Sequence, residues 1–392
     1  MSATVFSAIL LGLYATVTVA LSILGMRKTE GLDSFAIGKG DMGPVLVGIT
    51  MASSIASTAT FVVNPGFVFT DGLAAWAHYG LAAMAGLCCA LVLVSRGFHR
   101  IGSEVGALTL PGWIERRYGA PWLGRLFALL TLLYVSFVVL ILAGSALIIG
   151  QLFGLSYHGA LLAVLGFVFG YVLLGGTYAH AYTNAFQGGL MLLIAGGLFG
   201  AGLLRYGTEF GSHLAAVGSD FAAWINPGST LYGSVFSVFV AAFVVTAALM
   251  LQPHIITKVL YLKRSRDLRR FLTVTVAASV VYSLMLFVGF WARFAGLEPR
   301  GQDTVVIEWI AATFPPVVVS FVLVTLLAAG MSTLDGILVA ISTVVASDLV
   351  LPFLRTEDPD RRLRWGLHAS RIAVVAIGLV SLALAWNPPA LL

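Results

Sequence analysis

Apolar residues recur along this chain in stretches of about 20, the length a helix needs to cross roughly 30 Å of hydrocarbon. Ten such stretches are legible, at 5–26, 43–69, 73–95, 122–153, 159–176, 185–206, 231–251, 271–294, 309–351 and 372–386. The ninth is too long for one simple crossing, and Pro315 and Pro316 divide an outer interfacial piece from the membrane helix. Only 10% of the 392 residues are charged and the mean hydropathy is +0.98. A soluble domain would carry about 25% charged residues. The chain therefore reads as an all-α polytopic membrane protein whose surroundings are a lipid bilayer.

The basic residues support this count. Arg27, Lys28 and Lys39 follow the first stretch; Arg96, Arg100, Arg116, Arg117 and Arg125 follow the third. Lys258, Lys263, Arg264, Arg266, Arg269 and Arg270 follow the seventh, and Arg355, Arg361, Arg362, Arg364 and Arg371 the ninth. Nineteen of the 22 basic residues thus fall on alternate loops, leaving Arg205, Arg293 and Arg300 on the other side. Lys and Arg collect in cytoplasmic loops, so the amino terminus is expected outside. The membrane would be a plasma membrane of the bacterial inner-membrane type. The net charge of +5 follows from this topology and implies no nucleic-acid partner. The first stretch is long and no basic residue precedes it, unlike a cleavable signal peptide.

Enzymatic chemistry finds no constellation. Glycines show no phosphate-cradling spacing, and Cys88 and Cys89 read as small apolar packing residues. The seven His are scattered, with His78 alone well inside a span, and no Lys or Arg lies deep in the membrane. No catalytic residue and no cofactor is expected, and no metal other than a coupling cation.

Two polar features interrupt the apolar stretches. Residues 51–60, Met-Ala-Ser-Ser-Ile-Ala-Ser-Thr-Ala-Thr, precede Asn64-Pro65-Gly66. Small residues let helices pack closely; alternatively, the helix unwinds here and offers free carbonyls to an ion. The second feature, Leu-Ala-Ala-Gly-Met-Ser-Thr-Leu-Asp-Gly at 327–336, sets Ser332, Thr333 and Asp335 inside hydrocarbon. A central Asp costs about 2.5–3.5 kcal/mol on insertion scales, and a bound cation would offset that. The pattern points to ion-coupled transport.

Motifs in order carry a resemblance. They are Ser53–Gly66 continuing to Phe69-Thr70-Asp71-Gly72, and Thr109-Leu110-Pro111-Gly112-Trp113-Ile114-Glu115-Arg116-Arg117-Tyr118-Gly119. Next come Gly175-Gly176-Thr177-Tyr178-Ala179-His180-Ala181-Tyr182-Thr183-Asn184-Ala185-Phe186-Gln187-Gly188, the Gln252…Lys258 stretch, and Ala328–Asp335. Together they resemble the sodium:solute symporter family. The resemblance implies an inverted five-plus-five helix repeat (LeuT-like) preceded by one extra amino-terminal helix, in a single transporter domain over 1–392. Residues 1–42 would be the extra helix and a cytoplasmic loop, 43–207 the first repeat, and 229–392 a second repeat lacking its last helix.

The resemblance also implies a sodium site from the carbonyls of Ser53, Ala56 and Ala329 with the hydroxyls of Ser332 and Thr333. Five hard oxygens suit a small hard cation; the alternative is that both hydroxyls bond back to their own helix. Some members hold a second sodium with an Asp where this chain has Asn184. Asp335 stands where the family can supply a hydroxyl. Either the carboxylate has moved across the site, keeping a second cation or a proton, or Asp335 is a buried, hydrogen-bonded side chain. Substrate is expected at Ser57, Thr60, Phe61, His78 and Tyr79, although His78 is equally readable as a packed helix residue. The expected function is sodium-coupled import of a small polar nutrient, an organic acid of monocarboxylate or pantothenate type, by alternating access. A membrane sensory module of the same fold, or a proton-coupled carrier, are the alternatives.

Overall fold

The computed structural model describes residues 3–354 and 358–387. Arg355, counted above with the basic loops, and residues 388–392 at the end of the expected second repeat lie outside the described residues. The described residues form helices and no named strand; one isolated parallel bridge joins Met42 to Leu262. In chain order the α-helices are α1 Ala3–Met26, α2 Leu32–Ile37, α3 Pro44–Ile55, α4 Asn64–Trp76, α5 Met84–Val105 and α6 Leu110–Tyr118. They continue with α7 Pro121–Thr131, α8 Val135–Phe153, α9 Tyr157–Tyr206, α10 Phe210–Val217, α11 Ala242–Leu249 and α12 Pro253–Ile256. The last five are α13 Leu268–Ser283, α14 Phe287–Phe294, α15 Val305–Thr313, α16 Pro316–Val344 and α17 Pro359–Ala385.

Among the described residues, seven helical segments are long and apolar enough to cross a membrane, and eight if one bent pair counts as a span. Two of the seven, Ala59–Val105 and Tyr157–Val217, run to 47 and 61 residues, well beyond the roughly 25 that one crossing needs. Each contains a glycine in a non-helical conformation, Gly72 (φ 62°, ψ −132°) and Gly176 (φ 52°, ψ −136°). Divided there, with the shorter apolar helix α3 joined to the segment before Gly72 and the bent pair counted as one span, they bring the number to the ten expected. The apolar residues left on the outside fit a lipid-facing wall: Leu93, Leu133, Leu204 and Ile372 are each more than two-thirds exposed.

The core lies around α16. From Val322 through Val344 this helix is buried at nearly every position, where a lipid-facing helix would show one exposed face. It packs against α9, α8, α1 and α17 and also against α3 and α12. Small residues (Ala328, Ala329, Gly330, Ser332) permit that close approach. Pro315 and Pro316 begin the helix in the way the sequence suggested, with Pro316 in its first turn, where a missing N–H costs nothing.

Candidate functional site

Helix α3 stops at Ile55 because Ala56 is extended (φ −82°, ψ 91°). The chain becomes helical again at Ala59, first as a wide π-turn over Ala59–Val63 and then as α4. The interruption strips the carbonyls of Ser53 and Ser54 of helical partners, and hydroxyls of α16 take their place. Ser332 Oγ lies 2.9 Å from the Ser53 carbonyl and 2.8 Å from that of Ala329; Thr333 Oγ1 lies 3.3 Å from the Ser54 carbonyl. Ser332 has one proton and two carbonyls within reach, so one oxygen pair always faces without a hydrogen between. Such a cluster of hard oxygens is chemically suited to a small cation. Ser53, Ser54 and Ser332 are almost wholly buried, and Ala56 and Thr333 nearly so.

Asn184 locks this joint. Its amide donates to Ser54 Oγ (2.9 Å) and to the Ser332 carbonyl (3.0 Å), tying α9 to both α3 and α16. Its Oδ1 and the neighbouring Gln187 Oε1 are buried without hydrogen-bond partners. Asp335 makes no hydrogen bond with Asn184. Its carboxylate accepts from His180 Nδ1 (2.9 Å), Tyr171 OH (3.0 Å) and Thr183 Oγ1 (3.3 Å), and all four side chains are buried.

Beside the break lies a cavity of about 610 Å³. Ser57, Thr60 and Tyr79 line it, as do Ala56 and Thr333, so it touches the cluster of oxygens directly. Phe61 and His78 do not line it. Phe61 is fully buried and its ring packs 5.7 Å from that of Tyr282. His78 is half-buried, its Nδ1 is 3.0 Å from the Ser237 carbonyl, and its ring contacts those of Tyr79 and Tyr232. The two tyrosine hydroxyls hydrogen-bond at 3.1 Å.

Three residues of this region were misread from sequence. Lys258 was assigned to a loop, yet it is fully buried and its ammonium donates to the His254 carbonyl. His254 lines the cavity together with Gln252. His180 is wholly buried inside α9. It is thus not true that His78 alone lies inside a span, and Lys258, within a bent pair of helices apolar enough to cross a membrane, is buried where no Lys or Arg was expected. For Lys258 and His254 the physical reason is a bend of 64° between Phe236–Leu249 and Pro253–Tyr261, which turns the chain back into the molecule. Gln252-Pro253, a proline opening a new helix directly after an apolar run, was the available signal.

A helical membrane protein with a broken helix, a buried cluster of hard oxygens and an adjoining cavity has the architecture of a secondary carrier. The family model for the sodium:solute symporter family matches residues 35–391, and the chain belongs to that family. It is 25% identical over 375 residues to the high-affinity proline transporter PutP of Bacillus subtilis (strain 168), covering 92% of this chain and 76% of the relative. It is 26% identical over 392 residues to the sodium/pantothenate symporter of Haemophilus influenzae, covering 96% and 78%. A solved structure, the substrate-bound outward-open state of a Na+-coupled sialic acid symporter, superposes with a TM-score of 0.83 at 15% identity, covering 98% of this chain and 83% of that one. The protein is a sodium-coupled transporter and not an enzyme.

Proposed function

We propose that this protein imports a small organic acid together with sodium by alternating access. The observation that carries the reading is the meeting of the Ser53 and Ala329 carbonyls with Ser332 Oγ at the helix break, on the edge of the cavity. In this reading sodium is held by the carbonyls of Ser53, Ala56 and Ala329 and the hydroxyls of Ser332 and Thr333. The ion draws α3 and α16 together beside the cavity and so raises substrate affinity. Thermodynamic linkage makes the effect mutual, substrate raising sodium affinity by the same factor.

The substrate class rests on two supports. Ser57, Thr60, Gln252 and His254 offer hydroxyl, amide and imidazole groups to a polar ligand, within walls that are otherwise largely apolar. The proline, pantothenate and sialic acid named for the relatives all carry a carboxylate. Ser57, Thr60 and Tyr79 are proposed as substrate contacts. Phe61 and His78 are proposed to act from behind, as packing for the cavity wall. The basic loops face the cytoplasm and the amino terminus lies outside. The pieces 43–207 and 229–392 act as two inverted repeats that rock about the site, with 1–42 outside that symmetry.

The test is uptake into proteoliposomes of radiolabelled proline, pantothenate and simple monocarboxylates under an inward sodium gradient, with potassium as control. Accumulation of one acid that collapses when sodium is replaced supports the reading. Equal uptake in both salts, or accumulation driven only by a pH gradient, overturns it.

A further inference from the structure

The sodium site leaves one part of the buried polar interior unexplained. Lys258 is fully buried, and among the described residues it has no carboxylate within ion-pair distance. Burying an ammonium requires a compensating charge nearby. Asp335 is adjacent to the glycine that Lys258 Nζ approaches.

The geometry between them is informative. A Cβ placed on Gly336 would lie 3.4 Å from Lys258 Nζ and 3.5 Å from His180 Nε2, so both nitrogens crowd the backbone next to Asp335. Any side chain at 336 would separate them, and glycine leaves the space open. His180 turns Nδ1 to the Asp335 carboxylate, which accepts; Nδ1 therefore carries the proton. That leaves Nε2 as an acceptor, and it is buried with no partner. The ammonium has three N–H groups, of which the His254 carbonyl takes one. An unfilled acceptor and a surplus donor thus stand at the same glycine.

We infer that Lys258 is a tethered counter-cation for Asp335, acting through the His180 imidazole, and that this internal charge takes the place of a second coupling ion. Asp335, His180 and Lys258 form a relay in which the imidazole links carboxylate to ammonium. Three of the carboxylate's roughly four lone-pair sites are taken by Tyr171, Thr183 and His180, and its charge is offset by Lys258, so a second alkali cation finds no uncompensated charge there. The protein consequently binds one sodium ion per chain. This inference rests on the sodium-coupled reading above and specifies its stoichiometry.

The experiment is equilibrium binding of radioactive sodium to the purified full chain in detergent, against a potassium background, with thermal stability followed in parallel. The wild type should bind one sodium per chain with a Hill slope of 1. Lys258→Met should expose Asp335 and raise the count toward two, whereas Lys258→Arg should keep it at one. Two ions on the wild type, or one on a folded Lys258→Met variant, overturns the proposal. Should Lys258→Met not fold alone, the double variant with Asp335→Asn removes both charges and should recover folding; a double variant no more stable than the single also overturns it. Failure of the sodium reading looks different. In that case the wild type binds no sodium, while the mutual rescue of Lys258→Met and Asp335→Asn still reports the relay.

Discussion

Ser332 and Thr333 occupy the same turn of α16, and each hydroxyl meets a carbonyl released by the end of α3. Under the proposed sodium reading, removing one hydroxyl takes away an oxygen that faces the cation, worth about 1.5–3 kcal/mol when a charge is involved. Ser332→Ala should therefore weaken sodium binding roughly tenfold to a hundredfold, read as a rightward shift of the sodium dependence of thermal stability. Thr333→Ala should act in the same direction and less strongly, because its contact at 3.3 Å is longer. Asp335→Asn keeps the side chain's shape and deletes its charge, leaving Lys258 buried without compensation. Asp335 and Lys258 are not in direct ion-pair contact, so the loss should stay below the about 3–5 kcal/mol of a broken buried pair, read as a drop in melting temperature in sodium-free buffer.

At the scale of the element, the breaks matter more than the helices. Gly176 holds φ 52°, ψ −136°, a conformation only glycine adopts without strain, and a Cβ there would sit 2.5 Å from the Phe35 ring. The residues just after it dock the turn onto the segment around α2, Thr177 donating to the Ala36 carbonyl and Tyr178 to that of Gly38. Gly176→Ala should cost about 1–3 kcal/mol of backbone strain in addition to the clash. The loss is measurable as a lower yield of monodisperse protein on size-exclusion chromatography. These breaks also show what sequence could and could not convey. Polar residues over 177–184 read as a loop because apolar periodicity lapses there, yet they are helical and, Tyr182 apart, buried, with Thr177, Asn184 and His180 bonded to α2, α3 and α16. Lys258 was misplaced for a related reason. It precedes Lys263 and Arg264 closely, and a charge count takes no account of a helix that bends by 64°.

For the whole molecule, stoichiometry decides the response to membrane potential. Moving one net charge across 100 mV is worth about 2.3 kcal/mol, or roughly a 50-fold change in the accumulation limit. With a single sodium and a monoanionic acid the cycle is electroneutral, so an imposed potential should leave the accumulation ratio unchanged. A zwitterion such as proline would instead carry one net positive charge inward, and its accumulation should rise with an inside-negative potential. Proteoliposomes clamped with potassium and valinomycin separate the two cases. A potential effect on a monoanion would require a second ion and count against the relay at Asp335.

Hydropathy, charge alternation and motif order determined the membrane class, the number of apolar stretches and the family, because these follow from the cost of placing polar groups in hydrocarbon. The motif resemblance, and not residue chemistry by itself, marked Ser53, Ala56, Ala329, Ser332 and Thr333 as the proposed sodium ligands. Tertiary structure alone decided what Asp335 faces. Its partners Tyr171, His180 and Thr183 lie far from it in sequence, on α9, and Lys258 approaches the neighbouring Gly336 from beyond the bend at Pro253; only packing brings them together. Buried charge is compensated through space, and spatial proximity is the one quantity a linear pattern of residues does not carry.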